Sequence, residues 1–597
     1  MPVATTLVVV FLFLTQTLML GWAAYRDSPT WDEFGHLAAG ISHWRDGTFN
    51  LYRVNPPLVR LVASAPVMLM EAKIHVGYYD RVTDPSIRGE FVAGGEMVHA
   101  NGQHFFDLMT VARWGCIPFC LLGGWICFTW ARQLYGHSAG ILSLLLWTFC
   151  PNVIGYGHLI APDMGATALG VAACYMYWKW LTVPNALNMV GAGLVLGLAE
   201  LSKTTWIVLV LLWPILWLAF RLLQQPKPTG YVWREALQIL VILVLSLWII
   251  NLGYCFERSF KTLGKYQFVS ESLAGRPHTA QGPSTGNRFS GSWLGLVPVP
   301  LPENYLSGID VQKADFERRM WSYLHGEWRF GGWWYYYVYG LLIKVPIGTW
   351  VLLGLAIVTA LFSKGYAAAA RDELCLLLPL LVVLAVVSSQ TGFNHHLRYV
   401  LPIFPFAYIW ISKLARSIAL NHRAVATIGG MALVWSAVSS LWVYPHSLSY
   451  FNEFVGGPNG GHYHLGNSNI DWGQDLFFLK EWLDQHPEAT PLHLAYDLSV
   501  IDPRIVGIDY TRPPLGPAST SAAKHTLEEL GPLPGWHAIS VNQIHRRERD
   551  FDYFLNLKPV AMAGYSIYIY HISIDEANRL RRKLGLPQLG SGQGIGR

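Results

Sequence analysis

Two adjacent acids, Asp32 and Glu33, sit in "SPTWDEFGHLAAG" (residues 28–40), directly behind an apolar run that ends near residue 24. A carboxylate pair where a chain leaves a bilayer has two readings. Thr30 followed three residues on by Glu33 fits a capping box, which uses Glu33 and leaves Asp32 unexplained. In a first helical turn Asp32 is also favoured by the helix dipole as the ionised form, which suits a general base. A further acid, Asp163, follows Pro162 in "GHLIAPDMGATAL", with His158 nearby as a candidate substrate contact. The structural alternative there is again an acid in the first turn of a helix after Pro.

Two cations are oddly placed. Lys203 in "LAELSKTTW" occupies a short turn between apolar runs on the side expected to face outward, against the positive-inside bias. A cation there suits an anionic lipid headgroup, and a snorkelling side chain is the alternative. Arg398 in "NHHLRYVLPIFPF" precedes another apolar run, and a guanidinium can hold a phosphate bidentately. His395 and His396 beside it lack an evident third metal ligand. "WSYLHGEWRFGGWWYYYVYGLLIKVP" (321–346) reads as an interfacial aromatic belt, with His325, Glu327 and Arg329 as candidate substrate contacts. Acids and cations gathered on one side of a membrane suit a reaction on a lipid-linked phosphate ester. A base activates a hydroxyl while cations hold the leaving phosphate.

The elements that must position these groups are membrane helices. The chain has 597 residues, 52% hydrophobic and only 14% charged, where a soluble domain carries about 25% charged residues. Its 26 Trp and 29 Tyr suit membrane–water interfaces. A formal charge of +5 does not suggest a nucleic-acid partner. The seven cysteines lie mostly in apolar runs without a CxxC pair, so structural disulfides are not expected.

Apolar stretches fall near 4–24, 108–130, 139–154, 164–181, 186–201, 204–220, 236–254, 336–361, 373–389, 399–415 and 425–443, about eleven spans. The first lacks a cleavage site and reads as a retained span. Short loops holding Arg132; Arg221, Lys227 and Arg234; Lys364 and Arg371; and Lys413, Arg416 and Arg423 mark the cytoplasmic side. Parity then puts the N-terminus inside, and residues 25–107, 255–335 and the tail from 445 outside. "NPPLVRLVASAPVMLM" (55–70) is too short to span and reads as an interfacial helix; a buried helix of an extramembrane lobe is the alternative.

In the tail, "FFLKEWLDQHP" has helical spacing, "PLHLAYDLSV", "GWHAISV" and "YSIYIYHIS" read as strands, and "GSGQGIGR" reads as a disordered end. The expected fold is thus mainly α: a polytopic membrane helix bundle (1–444) with interfacial helices in the first outer loop, and a small α/β extracytoplasmic domain (445–597). No internal repeat, Walker A loop, HExxH or GxSxG is present.

An acid pair after the first span, then "NPPL", then Pro-Asp in the second outer loop, resembles the C-type glycosyltransferase superfamily. The nearest members are bacterial relatives of protein O-mannosyltransferases and of the transferases that add aminoarabinose to lipid A. "HGEWRFGGWWYYYVYGLLIKVP", "RYVLPIFPF" and "SYFNEFVGGPNGGHYHLGNSNIDWGQDLFFLKEWL" extend the resemblance to about residue 485. It implies an inverting transfer of a sugar from a polyprenyl-phosphate donor to an acceptor hydroxyl (protein, lipid or glycan) outside a bacterial inner membrane. The family's acid pair maps onto Asp32 and Glu33, with Asp32 the expected base, and its second-loop acid onto Asp163. Where the aminoarabinose enzymes carry a phosphate-binding Lys before "PPL", this chain has Asn55. Lys203 and Arg398 are then expected to hold the phosphate, with Arg53 or Arg60 as lesser candidates. The family does not uniformly need a metal; no metal ligand is assigned here, and a divalent ion stays open. The competing readings are a transporter or flippase of lipid-linked sugars and a non-catalytic assembly or sensor protein. "SNIDWGQDL" (468–476) would serve a partner as easily as a substrate.

Overall fold

Two kinds of helix build the molecule, and they differ in how much of their apolar surface meets other helices. The computed structural model describes residues 3–75, 77, 79, 87–224, 232–278, 284–363, 365–497 and 500–590. Lys227, Lys364 and the Gly-rich end from 591 lie outside them.

Helices of the first kind turn an apolar face outward. Val3–Arg26 has 24 residues, about 36 Å at 1.5 Å per residue, enough for a hydrocarbon core of roughly 30 Å. Its Leu7, Phe11, Leu14 and Leu18 are exposed. Among the described residues, six helices are long and apolar enough to cross a membrane: Val3–Arg26, His104–Tyr135, Thr204–Leu223, Val232–Gly253, Ala370–Ser389 and Arg423–Val443. Two bent pairs bring the total to eight if each is one span. His137–Thr148 and Pro151–Gly157 meet at 60°, and Tyr336–Lys344 and Ile347–Phe362 at 110°. Pro151 and Pro346 stand at the breaks, where the ring restrains the preceding residue from helical geometry.

Against an expected count of about eleven spans, six helices among the described residues, or eight with the bent pairs, have the length and composition of a span. The stretch 399–415 breaks into short helical pieces, Leu397–Ile403, Phe404–Ile411 and Ser412–Ala415, and Pro402 and Pro405 account for the first break. Ala186–Ser202 is apolar but has only 17 residues. Pro162–Thr182 is a helix of the second kind, buried along nearly its whole length. It packs where glycine permits: a Cβ on Gly170 would come within 1.8 Å of the Trp206 ring. That indole is itself fully buried and donates to the Ala166 carbonyl at 2.7 Å.

The long loop after the first helix, expected to face outward, contains helices Glu33–Asp46, Leu58–Ser64 and Gly89–Asn101. Arg60, which interrupts the apolar run at 55–70, is buried. It donates to the Tyr52 carbonyl at 2.8 Å and lies 4.7 Å above the Tyr52 ring. In the tail the expected helix is Leu476–Gln485. The expected strands are β3 (Leu492–Ala495), β4 (Gly535–Ser540) and β6 (Ile567–Ile572), with β5 (Ala561–Ala563) added and β1 (Trp321–Leu324) and β2 (Glu327–Phe330) forming a separate hairpin. The sheet order is β3-β4-β6-β5, with β3 and β4 parallel and the other pairs antiparallel.

One segment of the tail is stitched to the start of the loop that follows Val3–Arg26. Ser28 N–H donates to the Gln474 carbonyl at 2.9 Å, Trp31 N–H to the Trp472 carbonyl at 3.2 Å, and Ser28 Oγ to the Gly473 carbonyl at 2.6 Å. Replacing Gly170 by Ala displaces the Trp206 indole, and overpacking of this kind costs about 1–3 kcal/mol. The expected outcome is a lower unfolding temperature of the detergent-purified protein by intrinsic fluorescence.

Candidate active site

Seven of the residues singled out from sequence line one cavity of about 470 Å³: Asp32, Asn55, Asp163, Lys203, His395, His396 and Arg398. The four charged ones are delivered by the ends of helical elements. Asp32 stands immediately before Glu33–Asp46 and makes no side-chain capping bond, so its carboxylate is not spent on the helix. Asp163 is in the first turn of Pro162–Thr182, where Pro162 has a pre-set φ and no N–H to satisfy. Lys203 is the extended residue that ends Ala186–Ser202. Arg398 lies in the 3₁₀ segment Leu397–Ile403.

Their charges alternate. Arg398 Nη2 donates to Asp32 Oδ2 at 2.6 Å, and its Nε lies 3.3 Å from Asp163 Oδ2. Lys203 Nζ donates to Asp163 Oδ1 at 2.6 Å. Lys203, Asp163 and Arg398 are buried, while the Asp32 side chain keeps 19% exposure. Two rings floor the cations: Arg398 lies 3.9 Å from the Trp472 ring centroid and Lys203 4.5 Å from that of Tyr399. Among the described residues Arg398 Nη1 has no hydrogen-bond partner although it is buried. A buried guanidinium N–H left unpaired is costly, and an anion entering the cavity would satisfy it.

Glu33 does not line the cavity. Its Oε1 accepts from Arg113 Nε at 2.9 Å and Ile160 N–H at 3.0 Å, and its Oε2 from Arg113 Nη2 at 2.5 Å, Thr30 N–H at 2.9 Å and Thr30 Oγ1 at 3.0 Å. Both partners are buried. Burial works against the charge of Glu33, but Arg113 and the two amides outweigh it and hold the carboxyl below its ordinary range. The Thr30 contacts are half of the expected capping box; the rest is a junction joining three separate parts of the chain.

The remaining candidates fall elsewhere. His158 is buried with Nε2 3.3 Å from Asp27 Oδ2. His325 packs against Tyr339 and His464, with ring centroids 4.9 and 4.8 Å away. Arg53 donates to Asn304 Oδ1 at 3.0 Å beside a second, smaller pocket.

Sequence reasoning missed Arg88, Asp315, Asp471 and Asp497 on the cavity wall. Asp471 is buried and accepts from Gly473 N–H at 3.0 Å and from Ser540 Oγ. Burial, with Asp497 nearby, pushes its carboxyl up to about 8. The motif "SNIDWGQDL" was the available signal, but nothing in it says which acid faces inward. Asp32 and Asp163 are each matched by a cation, and no three His, Cys, Asp or Glu among the described residues are grouped to hold a metal ion. This donor set does not fit a divalent ion.

Residues 105–250, about a quarter of the chain, match a family model described as dolichyl-phosphate-mannose-protein mannosyltransferase. No curated protein sequence matches significantly. Among solved structures, the chain aligns with ArnT from Cupriavidus metallidurans bound to undecaprenyl phosphate at 14% identity and a TM-score of 0.42, covering 94% of this chain and 97% of that one. It aligns with the S. cerevisiae protein O-mannosyltransferase Pmt1-Pmt2 complex bound to the sugar donor at 12% and 0.45, covering 74% and 90%. With the Archaeoglobus fulgidus oligosaccharyltransferase the values are 11% and 0.39, covering 73% and 55%.

Breaking a buried ion pair from one side costs about 3–5 kcal/mol. Glu33→Gln is therefore expected to lower the unfolding temperature sharply, and Glu33→Gln with Arg113→Met to lower it less than the separate effects would sum to. Asp471 has a second consequence. Its raised value means that the folded state is penalised progressively as pH rises from the usual carboxylate range to about 8. Asp471→Asn should remove that fall in stability, with the larger gain in unfolding temperature at pH 8 than at pH 5.

Proposed function

We propose that this chain is an inverting membrane glycosyltransferase, moving a sugar from a polyprenyl-phosphate donor to an acceptor hydroxyl on the extracytoplasmic face of a bacterial inner membrane. The observation that carries the proposal is the charge chain Asp32–Arg398–Asp163–Lys203, buried at one end and reaching partly exposed Asp32 at the other. The family-model match over residues 105–250 supports the same reading. In this proposal the N-terminus is cytoplasmic, the domain from 445 is extracytoplasmic, and the helical stretches near 164–181, 186–201 and 399–415 complete the bundle. Loop helix Leu58–Ser64 lies at the membrane interface.

The donor's phosphate takes the place beside Lys203 and Arg398, using the unpaired Nη1 of Arg398. Asp163 holds both cations in position from behind. Asp32 accepts the proton of the acceptor hydroxyl as its oxygen forms the new bond to the anomeric carbon, from the face opposite the phosphate. The bond between that carbon and the phosphate oxygen breaks. The electron pair stays with the phosphate, whose growing charge the two cations stabilise. Glu33 acts at a distance, fixing the turn that carries Asp32. Asn55, at the cavity wall, is a neutral contact for donor or acceptor.

The test is native mass spectrometry of the purified protein with added polyprenyl phosphate, paired with a transfer assay. Lys203→Met and Arg398→Gln are expected to lose most of the bound lipid phosphate. Asp32→Asn should keep it and lose transfer by a factor on the order of 10² to 10⁴, the usual worth of a general base. Full transfer by Asp32→Asn overturns the base assignment. Lipid translocation without transfer would favour the flippase reading instead.

A further inference from the structure

The second pocket, about 250 Å³, lies against the first turns of helix Glu303–Arg318, whose later turns reach the candidate active site. Gln312 and Asp315 face the larger cavity, while Glu303, Asn304 and Ser307 face this one. Its wall carries four cations, Arg53, Arg258, Lys261 and Lys265, against one acid, Glu303. Arg258 Nη1 donates to Glu303 Oε2 at 3.0 Å and Lys261 Nζ to Glu303 Oε1 at 2.6 Å, so this acid is shared by two of the four. Glu257 stands behind the wall, accepting from Asn304 Nδ2 at 3.1 Å. Even with Glu257 counted, the excess is positive. Such an excess of positive charge suits an anion.

What surrounds the pocket indicates where the anion comes from. Val232–Gly253 is one of the spanning helices, and the pocket begins a few residues past its end. There Cys255, Phe256, Arg258 and Phe260 all take positive φ, between 48° and 64°, a left-handed geometry that costs non-glycine residues about 1–2 kcal/mol each. The resulting loop turns Phe256 and Phe260 outward, exposed by 43% and 60%, while Arg258 lines the pocket. Phe256 lies 6.5 Å, ring to ring, from exposed Trp248 on the spanning helix, so the apolar knob continues the lipid-facing surface. Trp293 and Leu296, exposed by 73% and 78%, extend it from a loop that Phe260 and Leu263 bond through the Val299 and Val297 carbonyls. Exposed aromatics beside a span, under a cationic pocket, are the arrangement that meets acyl chains with one part and a phosphate with the other.

We propose that this pocket binds the phosphate headgroup of an anionic bilayer phospholipid, with the knob of Phe256, Phe260, Trp293 and Leu296 lying among its acyl chains. The site is separate from the candidate active site, and its occupancy does not depend on the reaction carried out there.

The experiment is native mass spectrometry of the full-length purified protein titrated with phosphatidylglycerol, with phosphatidylcholine, and with phosphatidylglycerol in the presence of inorganic phosphate. Phosphatidylglycerol is expected to be retained in preference to phosphatidylcholine. Lys261→Gln with Lys265→Gln should reduce retention roughly tenfold or more. Glu303→Gln should raise retention, a change of opposite sign that misfolding would not produce. Phe256→Ser with Phe260→Ser should weaken it with the cations intact, and Lys203→Met, which alters the other cavity, should leave it unchanged. Equal retention of the two lipids, or no response to the Lys261, Lys265 and Glu303 variants, overturns the site. Displacement by inorganic phosphate at equal concentration overturns the lipid as its occupant.

Discussion

A charge buried in a membrane protein must be answered in place, and the Glu33–Arg113 pair is where this structure does so most completely. Five donors converge on one carboxylate, from the loop at Thr30, from helix His104–Tyr135 and from the loop at Ile160. Arg113 answers in turn with bonds to the carbonyls of Ala24, Asp27 and Ser28. The chain leaving the first span, the loop before Asp163 and a long spanning helix are thereby locked together. Asp32 is next to Glu33, and Asp163 is three residues from Ile160. The distance between the two cavity acids is therefore set by a neighbour that takes no part in the cavity.

The cavity itself uses the opposite device. Its charges compensate one another in sequence, Asp32 with Arg398, Arg398 with Asp163, Asp163 with Lys203. Lone buried cations would be too costly, and fully saturated ones could not bind an anion. Shared partners leave Arg398 Nη1 without a hydrogen-bond partner and rest both cations on aromatic faces. In the proposed reaction the donor phosphate would add bonds without first breaking the pairs that hold the cations. The tail closes the same cavity through Trp472 and Asp471, and its backbone is bonded to the loop carrying Asp32. This couples the tail to the position of the acid.

How far the sequence reached differs by residue, for physical reasons. Composition and apolar run length disclosed the membrane class, because hydrocarbon demands a long apolar helix wherever the chain crosses it. They do not separate lipid-facing helices from protein-buried ones, because a helix buried on all sides by protein, such as Pro162–Thr182, reads like one bathed in lipid. Proline breaks at 346, 402 and 405 were visible in the sequence, but whether each bends or ends a helix depends on what packs beside it. The tail's strands were legible from their alternation, a local property.

The sequence by itself determined that acids and cations stood at helix ends beside a membrane, since residue type, apolar period and turn chemistry are local. Only the tertiary structure decided which of them meet. Asp32, Asp163, Lys203 and Arg398 are separated by up to 366 residues, and no local pattern records such pairing. The same holds for the separation of roles within Asp32-Glu33. Adjacent carboxylates look alike in sequence, and the reach of Arg113 and the Ile160 amide, both remote in the chain, turns one inward to hold the fold and leaves the other facing the cavity.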